Sequence, residues 1–372
     1  LQVPQPRLWW PWDQGSPTLY RLTVEIREGD RCLDSRTQMI GLRQVELDGW
    51  TLRINGRRVY ARGANWVPAD ILPGRVREED YHALLSLARQ ANMNMVRVWG
   101  GGLREKRAFY EACDRMGILV WQEFPLACAF LGRFPRSAEY LRLVERESEA
   151  IVRDLRAHPS VVLWCGGNEF NPERNKPVVA ALQRSVGKLD PDRPFLAASP
   201  AGGDSHNWKI WHGYHPPSAY RLDDALFASE FGLQAVPHQE TLEQFLPADE
   251  LWPPGPSWHY HGAEPEKLRR YARPFLRSEE PHLDEFIQAS QRAQAHALQI
   301  GVEHYRRAKA RGGGGVLIWQ LNEPWPAISW ALIDHCRRPK IAYRIIKRLL
   351  NPVLVSLEYP LRRYRAGDEL AI

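Results

Sequence analysis

The chain has 372 residues, of which 44% are hydrophobic and 25% charged, a balance typical of a soluble globular protein with one large or two smaller domains. Its formal net charge of +6 comes from arginines spread over many segments, which argues against a clustered nucleic-acid-binding surface. No apolar run reaches the roughly 18 residues of a membrane-spanning helix, and residues 1–12 lack the regions of a signal peptide. Because the chain begins without Met, we expect a fragment or processed product, and we favour the cytoplasm while leaving export open.

Strand-like and helix-like segments alternate along most of the chain. Amphipathic stretches with a 3.6-residue period, such as 77–91, 105–116 and 283–311, separate many of the strand candidates. We predict strands at 58–66, 93–100, 118–124, 161–169, 194–199, 209–214, 226–232 and 315–323. Eight strand-helix units in about 300 residues indicate an α/β fold, a (β/α)8 TIM barrel.

The two ends of the chain have the pattern of β-sandwich strands. Alternating polar and apolar residues within 1–48 are typical of the last strands of a sandwich, and 353–372 of the first strand of another. We therefore predict three parts: C-terminal strands of an immunoglobulin-like sandwich at 1–48, the barrel at 49–352, and the start of a following sandwich at 353–372.

Polar residues close nearly every predicted strand. Residues 161–165 are apolar like a buried strand, yet Asn168 and Glu169 follow at once, and an isolated carboxylate is costly to bury without a partner or ligand. Active sites of TIM barrels lie at the C-terminal ends of the strands. One mouth would collect Asn65, Trp66, Arg97, Trp99, Gln122, Glu123, Asn168, Glu169, His212, Glu230, Asn322 and Glu323.

Two of these carboxylates suit glycoside hydrolysis. Glu169 ends the fourth predicted strand and Glu230 lies near the end of the seventh. Two carboxyls about 5–5.5 Å apart cleave a glycosidic bond with retention of configuration. Fifteen tryptophans, many of them near strand ends, add flat apolar faces that suit sugar rings. Glu323, in an Asn-Glu-Pro string, is a rival acid, but too little chain follows it for three more strands, so we expect it to support the pocket.

The sequence gives no indication of a metal or cofactor. The five cysteines form no CxxC pair, so neither a disulfide framework nor a zinc site is indicated. His206, His212 and His215 are unevenly spaced and have no fixed carboxylate beside them in the sequence. The glycines at 312–315 are not followed by the Lys-Ser/Thr of a phosphate loop. We expect no metal, no cofactor, and no nucleic-acid or membrane partner.

Local strings of the sequence resemble β-mannosidases of glycoside hydrolase family 2, a retaining family of clan A. In chain order they are LWWPWDQGSPTLYRLTVEI, RINGRRVYARGANWVPAD, MNMVRVWGGG, FYEACDRMGILVWQEF, VVLWCGGNEF, WHGYHPP, ASEFGLQAVP and WQLNEPWPAISWALID. The resemblance extends from residue 8 to about residue 358. One departure is Glu323, where β-mannosidases more often have Asp.

The resemblance implies a role for each site residue. Glu169 would be the general acid/base, Glu230 the nucleophile, and Asn168 the residue that holds the sugar 2-hydroxyl. The pocket for the terminal sugar would be lined by Arg97, Trp99, Trp211, His212 and Trp319, with Glu323 beside it. We also expect surroundings that raise the pKa of Glu169, so that it is protonated near neutral pH.

The activity implied is release of terminal non-reducing β-D-mannose from an oligosaccharide or glycoconjugate by double displacement. Alternatives left open are an exo-β-D-glucosaminidase, a β-galactosidase or β-glucuronidase of the same family, or a truncated barrel that only binds carbohydrate. The sequence does not decide the linkage, the oligomeric state or the compartment.

Overall fold

The computed structural model describes residues 3–129, 132–359 and 365–369. Its strands are β1 (Tyr20–Glu28), β2 (Arg31–Ile40), β3 (Val45–Asp48), β4 (Thr51–Ile54), β5 (Arg57–Val59), β6 (Ala61–Trp66), β7 (Met95–Val98), β8 (Leu119–Glu123), β9 (Val161–Cys165), β10 (Phe195–Leu196), β11 (Asp204–Asn207), β12 (Phe227–Phe231) and β13 (Gly315–Ile318). Its α-helices are α1 (Glu78–Gln90), α2 (Arg107–Met116), α3 (Ala138–Leu155), α4 (Lys176–Leu189), α5 (Gln239–Leu242), α6 (Pro256–Tyr260), α7 (Pro265–Ala272), α8 (Leu283–Arg307) and α9 (Ile341–Leu349). Short 3-10 helices lie at Pro73–Arg75, Pro217–Leu222, Ala248–Glu250, Arg273–Phe275 and Ala308–Arg311.

Eight parallel strands form one curled sheet in the order β10-β9-β8-β7-β6-β13-β12-β11. Helices separate most consecutive strands and cover the outside, so β7, β8 and β9 are buried along their whole length. This architecture confirms the predicted TIM barrel. None of the described helices combines the length and the apolar character needed to cross a membrane.

Local sequence explains where several helices begin and end. The side chain of Ser137 caps α3 by accepting a hydrogen bond from the Tyr140 backbone N–H at 3.2 Å. Helix α2 ends at Gly117, which has φ 70° in the left-handed region that glycine enters at little cost. The chain then turns directly into β8, which places the end of that strand at the barrel mouth.

The sixth barrel strand lies earlier than predicted. The sequence pattern indicated 209–214, but β11 comprises Asp204–Asn207 and the later residues form turns. The apolar residues Ile210 and Trp211 are fully buried outside the sheet, where the Trp211 ring stacks on Tyr271. The prediction was wrong because β11 is polar: its side chains form hydrogen bonds on both sides of the strand, with Ser199 and Glu169 on one side and Asp223 on the other.

Strands β10 and β11 are the two edges of the eight-stranded sheet, and we call the place between them the seam. Side chains cross it. The Ser199 hydroxyl lies 2.6 Å from Asp204 Oδ2 and 3.1 Å from the Ser229 hydroxyl of β12. Polar contacts therefore join the sheet edges close to the barrel mouth.

The opposite, N-terminal end of the barrel is closed by the antiparallel sheet β3-β4-β5, which we call the floor. The Trp50 indole donates to the Gly202 carbonyl at 2.7 Å, just before β11. Apolar side chains of the floor and of the barrel strands form one buried cluster, which includes Trp50, Leu52, Ile54, Val59, Met95, Leu119, Trp121, Leu163, Phe227 and Leu317. Apolar side chains thus fill the barrel interior at this end, and the polar residues of the candidate site lie at the other end.

The first part of the chain is a hairpin attached to the barrel. Strands β1 and β2 pair as an antiparallel two-stranded sheet that is mostly exposed, as expected for part of a sandwich. Before the hairpin, the buried Trp9 donates its indole N–H to the Asp114 carbonyl at 2.9 Å. After it, Arg43 Nη2 donates to the Val161 carbonyl at 2.7 Å.

The predicted domain boundaries stay predictions. Strand β3 ends at Asp48 and pairs with β4, so the sheet itself crosses the predicted boundary between 48 and 49. In the segment 353–372, the described residues 353–359 and 365–369 contain neither helix nor strand. The start of a second sandwich in that segment is an expectation from sequence only.

Candidate active site

Arg97 is the centre of the polar residues at the barrel mouth. It lies on β7, is fully buried, and uses all its N–H groups. Nη1 donates to Glu230 Oε1 at 2.5 Å and to Asn65 Oδ1 at 2.7 Å. Nη2 donates to Asn168 Oδ1 at 2.6 Å and to Glu123 Oε1 at 2.7 Å, and Nε donates to Glu123 Oε1 at 3.0 Å. A guanidinium suits this position because its planar fork of five donors is rigid. These five residues, the Arg97 cluster, join side chains from β6, β7, β8 and β12 and from the loop after β9.

Glu169 and Glu230 lie together, as the sequence predicted. His206 Nδ1 is 2.9 Å from Glu169 Oε1 and 3.4 Å from Glu230 Oε2, and ligand atoms of the three residues lie within 4.8 Å of one another. Glu169 has φ 49°, a left-handed conformation that is costly for a residue with a side chain and that clusters at functional sites. The pair is close enough for a direct displacement at a sugar carbon between the two carboxyls.

The two carboxyls differ in pKa, but in the direction opposite to the sequence expectation. Burial alone would raise the pKa of Glu169, but the hydrogen bond and charge of His206, with the Arg97 guanidinium, lower it below its ordinary value. Burial raises the pKa of Glu230 to about 8, because its loss of hydration and the charge of Glu169 outweigh Arg97. The expectation of a raised pKa at Glu169 was therefore wrong, since it overlooked the contact with His206. Two such close acids titrate as a pair that shares one proton.

A tryptophan-rich pocket opens at the same end of the barrel. It has a volume of about 480 Å³, and its lining includes Trp99, Trp319, Trp325, Trp330 and Glu323. The rings of Trp99 and Trp319 meet edge to face with centroids 5.2 Å apart. Gly101 and Gly102 line the side near Trp99, where small residues leave room for a ligand beside the backbone. The pocket combines flat apolar walls with a buried acid.

Three predicted lining residues, Arg97, Trp211 and His212, do not line this pocket. Trp211 is fully buried, and its indole N–H donates to Glu264 Oε1 at 2.8 Å. Its ring contacts the edge of Trp330 at 6.0 Å, so Trp211 supports a wall of the pocket and does not line it directly. His212 is exposed, with its ring 5.3 Å from Trp208 and 6.4 Å from Trp330. His212 lies on the outer side of the same aromatic group.

Glu323 belongs to a separate buried group. Its Oε1 accepts from the Ser329 hydroxyl at 2.8 Å and faces Lys340 Nζ at 3.6 Å, and its Oε2 accepts from the His335 backbone N–H at 2.9 Å. Burial raises the pKa of Glu323 to about 7 although Lys340 opposes the shift. We call Glu323, Ser329, His335 and Lys340 the Lys340 group, and it supports the pocket from below.

Family models and known proteins match this arrangement. The model described as "Glycosyl hydrolases family 2, TIM barrel domain" matches residues 45–209, and the model described as "Glycosyl hydrolases family 2" matches residues 1–43. The chain belongs to glycosyl hydrolase family 2. Beta-mannosidase B of Aspergillus flavus is 34% identical over 96% of the chain and 48% of its own length, and that of Emericella nidulans is 32% identical over the same shares. The chain spans about half the length of the curated relatives it matches.

Two solved structures have a similar fold. The β-D-mannosidase from Dictyoglomus thermophilum matches with a TM-score of 0.88 and 36% identity, over 94% of this chain and 47% of that one. The exo-chitosanase from Amycolatopsis orientalis matches with a TM-score of 0.80 and 21% identity, over 94% and 45% of the two chains. At that identity the second match supports the fold alone.

Sequence reasoning missed the part played by His206. We expected no carboxylate beside it, yet it contacts both Glu169 and Glu230. The miss follows from placing the sixth strand too late, which hid the alternation by which Asp204 and His206 face the barrel interior. Glu169, His206 and Glu230 are also, within the described part of the chain, the group whose atoms are spaced to hold a cation. The prediction of no metal stays a prediction.

Proposed function

We propose that this chain hydrolyses terminal non-reducing β-D-mannosides with retention of configuration. One observation carries the proposal: two carboxyls with oxygen atoms within 4.8 Å, one on β12 and one in the loop after β9, lie at the barrel mouth of a family 2 chain. The sugar assignment is supported by 34% identity to a β-mannosidase B and 36% identity to a solved β-D-mannosidase.

Glu230 is suited to be the nucleophile and Glu169 the acid/base. Glu230 is held by Arg97, with only 3% of its side chain exposed, so its second oxygen has one fixed direction of attack. The Glu169 side chain is 19% exposed, as a group that exchanges protons with a leaving alcohol and with water requires. In the first step Glu169 protonates the glycosidic oxygen while Glu230 attacks the anomeric carbon, and in the second Glu169 takes a proton from the water that releases the sugar.

This chemistry requires a protonated Glu169 and an ionised Glu230, whereas the pKa values favour the reverse in the free protein. We expect substrate binding to reverse this order, so that Glu230 loses its proton and Glu169 gains one. A glycosidic oxygen beside Glu169 favours the protonated form as hydrogen-bond donor, and developing positive charge at the anomeric carbon favours ionised Glu230. The proton position is then set by the substrate complex.

Asn168 is suited to bind the 2-hydroxyl of the sugar. Its Oδ1 accepts from Arg97 Nη2, which fixes the orientation of the amide and directs Nδ2 away from the guanidinium, toward Cys128 at 3.7 Å. Mannose and glucose differ only in the configuration at carbon 2. A fixed amide donor at that carbon could therefore contribute to the choice of sugar.

A panel of p-nitrophenyl glycosides tests the proposal. We expect the β-mannoside to be the preferred substrate and NMR of the first product to show β-mannose. Preference for a β-glucosaminide, β-galactoside or β-glucuronide would overturn the sugar assignment. Binding of mannobiose by calorimetry without turnover of any glycoside would instead indicate a carbohydrate-binding barrel.

A further inference from the structure

A row of polar side chains leads from Glu169 across the seam to a second carboxyl. His206 Nδ1 lies 2.9 Å from Glu169 Oε1, and His206 Nε2 lies 3.1 Å from the Ser199 hydroxyl. That hydroxyl lies 2.6 Å from Asp204 Oδ2. Ser199 is fully buried and the His206 side chain is only 3% exposed, so these contacts are largely shielded from water.

The row has two complete hydrogen-bonding arrangements. In the first, protonated Asp204 donates to Ser199, Ser199 donates to His206 Nε2, and His206 Nδ1–H donates to ionised Glu169. In the second, protonated Glu169 donates to His206 Nδ1, His206 Nε2–H donates to Ser199, and Ser199 donates to ionised Asp204. Both use one hydroxyl hydrogen and one hydrogen on a neutral imidazole, as the chemistry of these side chains allows.

We propose that Asp204 holds a proton in reserve for Glu169 and delivers it through Ser199 and His206. The transfer moves the Asp204 proton to Ser199, the Ser199 proton to His206 Nε2, and the His206 Nδ1 proton to Glu169 Oε1. Asp204 becomes a carboxylate and Glu169 a carboxylic acid, while Ser199 and His206 keep their charge. The inference rests on the proposed function, in which Glu169 alternates between acid and base.

The surrounding charges are compatible with this exchange. Burial raises the pKa of Asp204 to about 6 and lowers that of His206 to about 4, so a neutral imidazole links an Asp204 that keeps its proton up to about pH 6 to Glu169, whose pKa is lowered in the free protein. The positive charge of Arg97 acts to lower the pKa of both carboxyls and of the imidazole. Two other titratable groups lie close to the row: Glu230 Oε2 is 3.4 Å from His206 Nδ1, and Cys128 Sγ is 3.9 Å from Glu169 Oε2. The charge of Glu169 also acts on the pKa of His212.

Leaving-group dependence separates this role from a merely structural one. Asp204→Asn keeps a donor toward Ser199 but has no proton to release, and Ser199→Ala interrupts the row. We expect both variants to lose on the order of 10- to 100-fold in kcat/KM on phenyl β-mannoside, whose leaving group needs an acid. On 2,4-dinitrophenyl β-mannoside, which needs little protonation, the loss should stay within about threefold.

Ser205→Ala is the matched control. Ser205 lies between Asp204 and His206 on β11 and donates to Asp223 Oδ2 at 2.7 Å, on the other side of the strand. It should leave the ratio of the two rates unchanged. Equal losses on both substrates in Asp204→Asn and Ser199→Ala would overturn the proposal, because damage at the seam slows every substrate alike.

A titration that needs no activity keeps the two proposals distinguishable. In ¹⁵N NMR of the wild-type chain, His206 Nε2 should shift as Asp204 ionises near pH 6, because Ser199 then turns its hydroxyl toward the carboxylate. Asp204→Asn and Ser199→Ala should both abolish this shift, and Ser205→Ala should keep it. If the wild type hydrolyses no glycoside, the proposed function fails while this titration still decides the proton reserve. A wild-type Nε2 resonance that does not move through this range overturns the reserve, whether or not the variants fold.

Discussion

Glu230 and Glu323 have similar surroundings, but we assign them different roles. They lie at or just beyond the ends of the neighbouring strands β12 and β13, both are buried, and burial raises the pKa of both, to about 8 and about 7. Each also faces a fully buried cation, Arg97 in one case and Lys340 in the other. Burial, a shifted pKa and an ion pair therefore do not distinguish a reactive acid from a supporting one.

The remaining partners make the difference. Both oxygens of Glu323 have partners of their own, the Ser329 hydroxyl at Oε1 and the His335 N–H at Oε2. Glu230 shares its cation with Glu123 and has another carboxyl, Glu169, within reach of its second oxygen. A second acid across a gap is what this comparison identifies as the mark of a glycosidase site. Four predictions test that conclusion.

The largest effect is expected from Glu230→Ala. No covalent intermediate can form without this carboxyl, so turnover of every β-mannoside should fall by at least about four orders of magnitude. Added azide should enter from the vacated side and give an α-mannosyl azide, which NMR identifies. A β-mannosyl azide from this variant would contradict the proposal, because it would mean that Glu230 lies on the leaving-group side of the sugar.

Glu169→Ala should be strongly but selectively impaired. Loss of the acid should slow phenyl β-mannoside by about 10²- to 10⁴-fold, whereas dinitrophenyl β-mannoside should show a burst followed by slow release of the trapped sugar. Azide needs no base and should restore the rate, giving a β-mannosyl azide. Because the pKa values alone would make Glu230 the acid, an α-azide here would reverse the two roles.

Glu323→Gln should affect stability more than chemistry. Lys340 would be left buried without its carboxylate, which costs about 3 kcal/mol in the free energy of unfolding measured in urea. We expect kcat to fall less than about tenfold, without rescue by azide. Lys340→Met in the Glu323→Gln background should recover part of the stability, and azide rescue of Glu323→Gln would mean that Glu323 takes part in the reaction.

The smallest effect is expected in how the free energy of unfolding depends on pH. Between the ordinary carboxyl pKa of 4.5 and the value near 8, the folded protein holds a proton on Glu230 that the unfolded chain releases, so raising the pH lowers the free energy of unfolding. Glu230→Gln removes this penalty and leaves Arg97 paired with Glu123. It should therefore be more stable than the wild type at pH 8, by at least the roughly 1.4 kcal/mol that one pKa unit represents, and similar at pH 5. Equal stability at pH 8 would show that Glu230 is ionised at no cost.

The sequence predicted features that follow from the order of strands along the chain, and it missed features that depend on contacts between distant residues. Glu169 and Glu230 could be placed because apolar runs precede them and barrel strands end at one mouth. The polar strand β11 could not be placed, because its side chains bond to residues distant in the sequence. For the same reason the contacts of His206 and the order of the two carboxyl pKa values were missed. Trp211 was misplaced for a related reason: a tryptophan beside polar residues indicates a strand end or a loop but not which way the ring faces.

The floor of the barrel has a consequence for how such enzymes evolve. Strand β3 and the segment around Trp9 and Arg43 precede the predicted boundary between 48 and 49, yet β3 closes the N-terminal end of the barrel, and Trp9 and Arg43 donate to the carbonyls of Asp114 and Val161. Recombination at Gly49 would therefore separate a barrel from part of its own base and uncover the apolar cluster around Trp121. The unit that can be inherited as a stable barrel is therefore larger than the repeat of strand and helix.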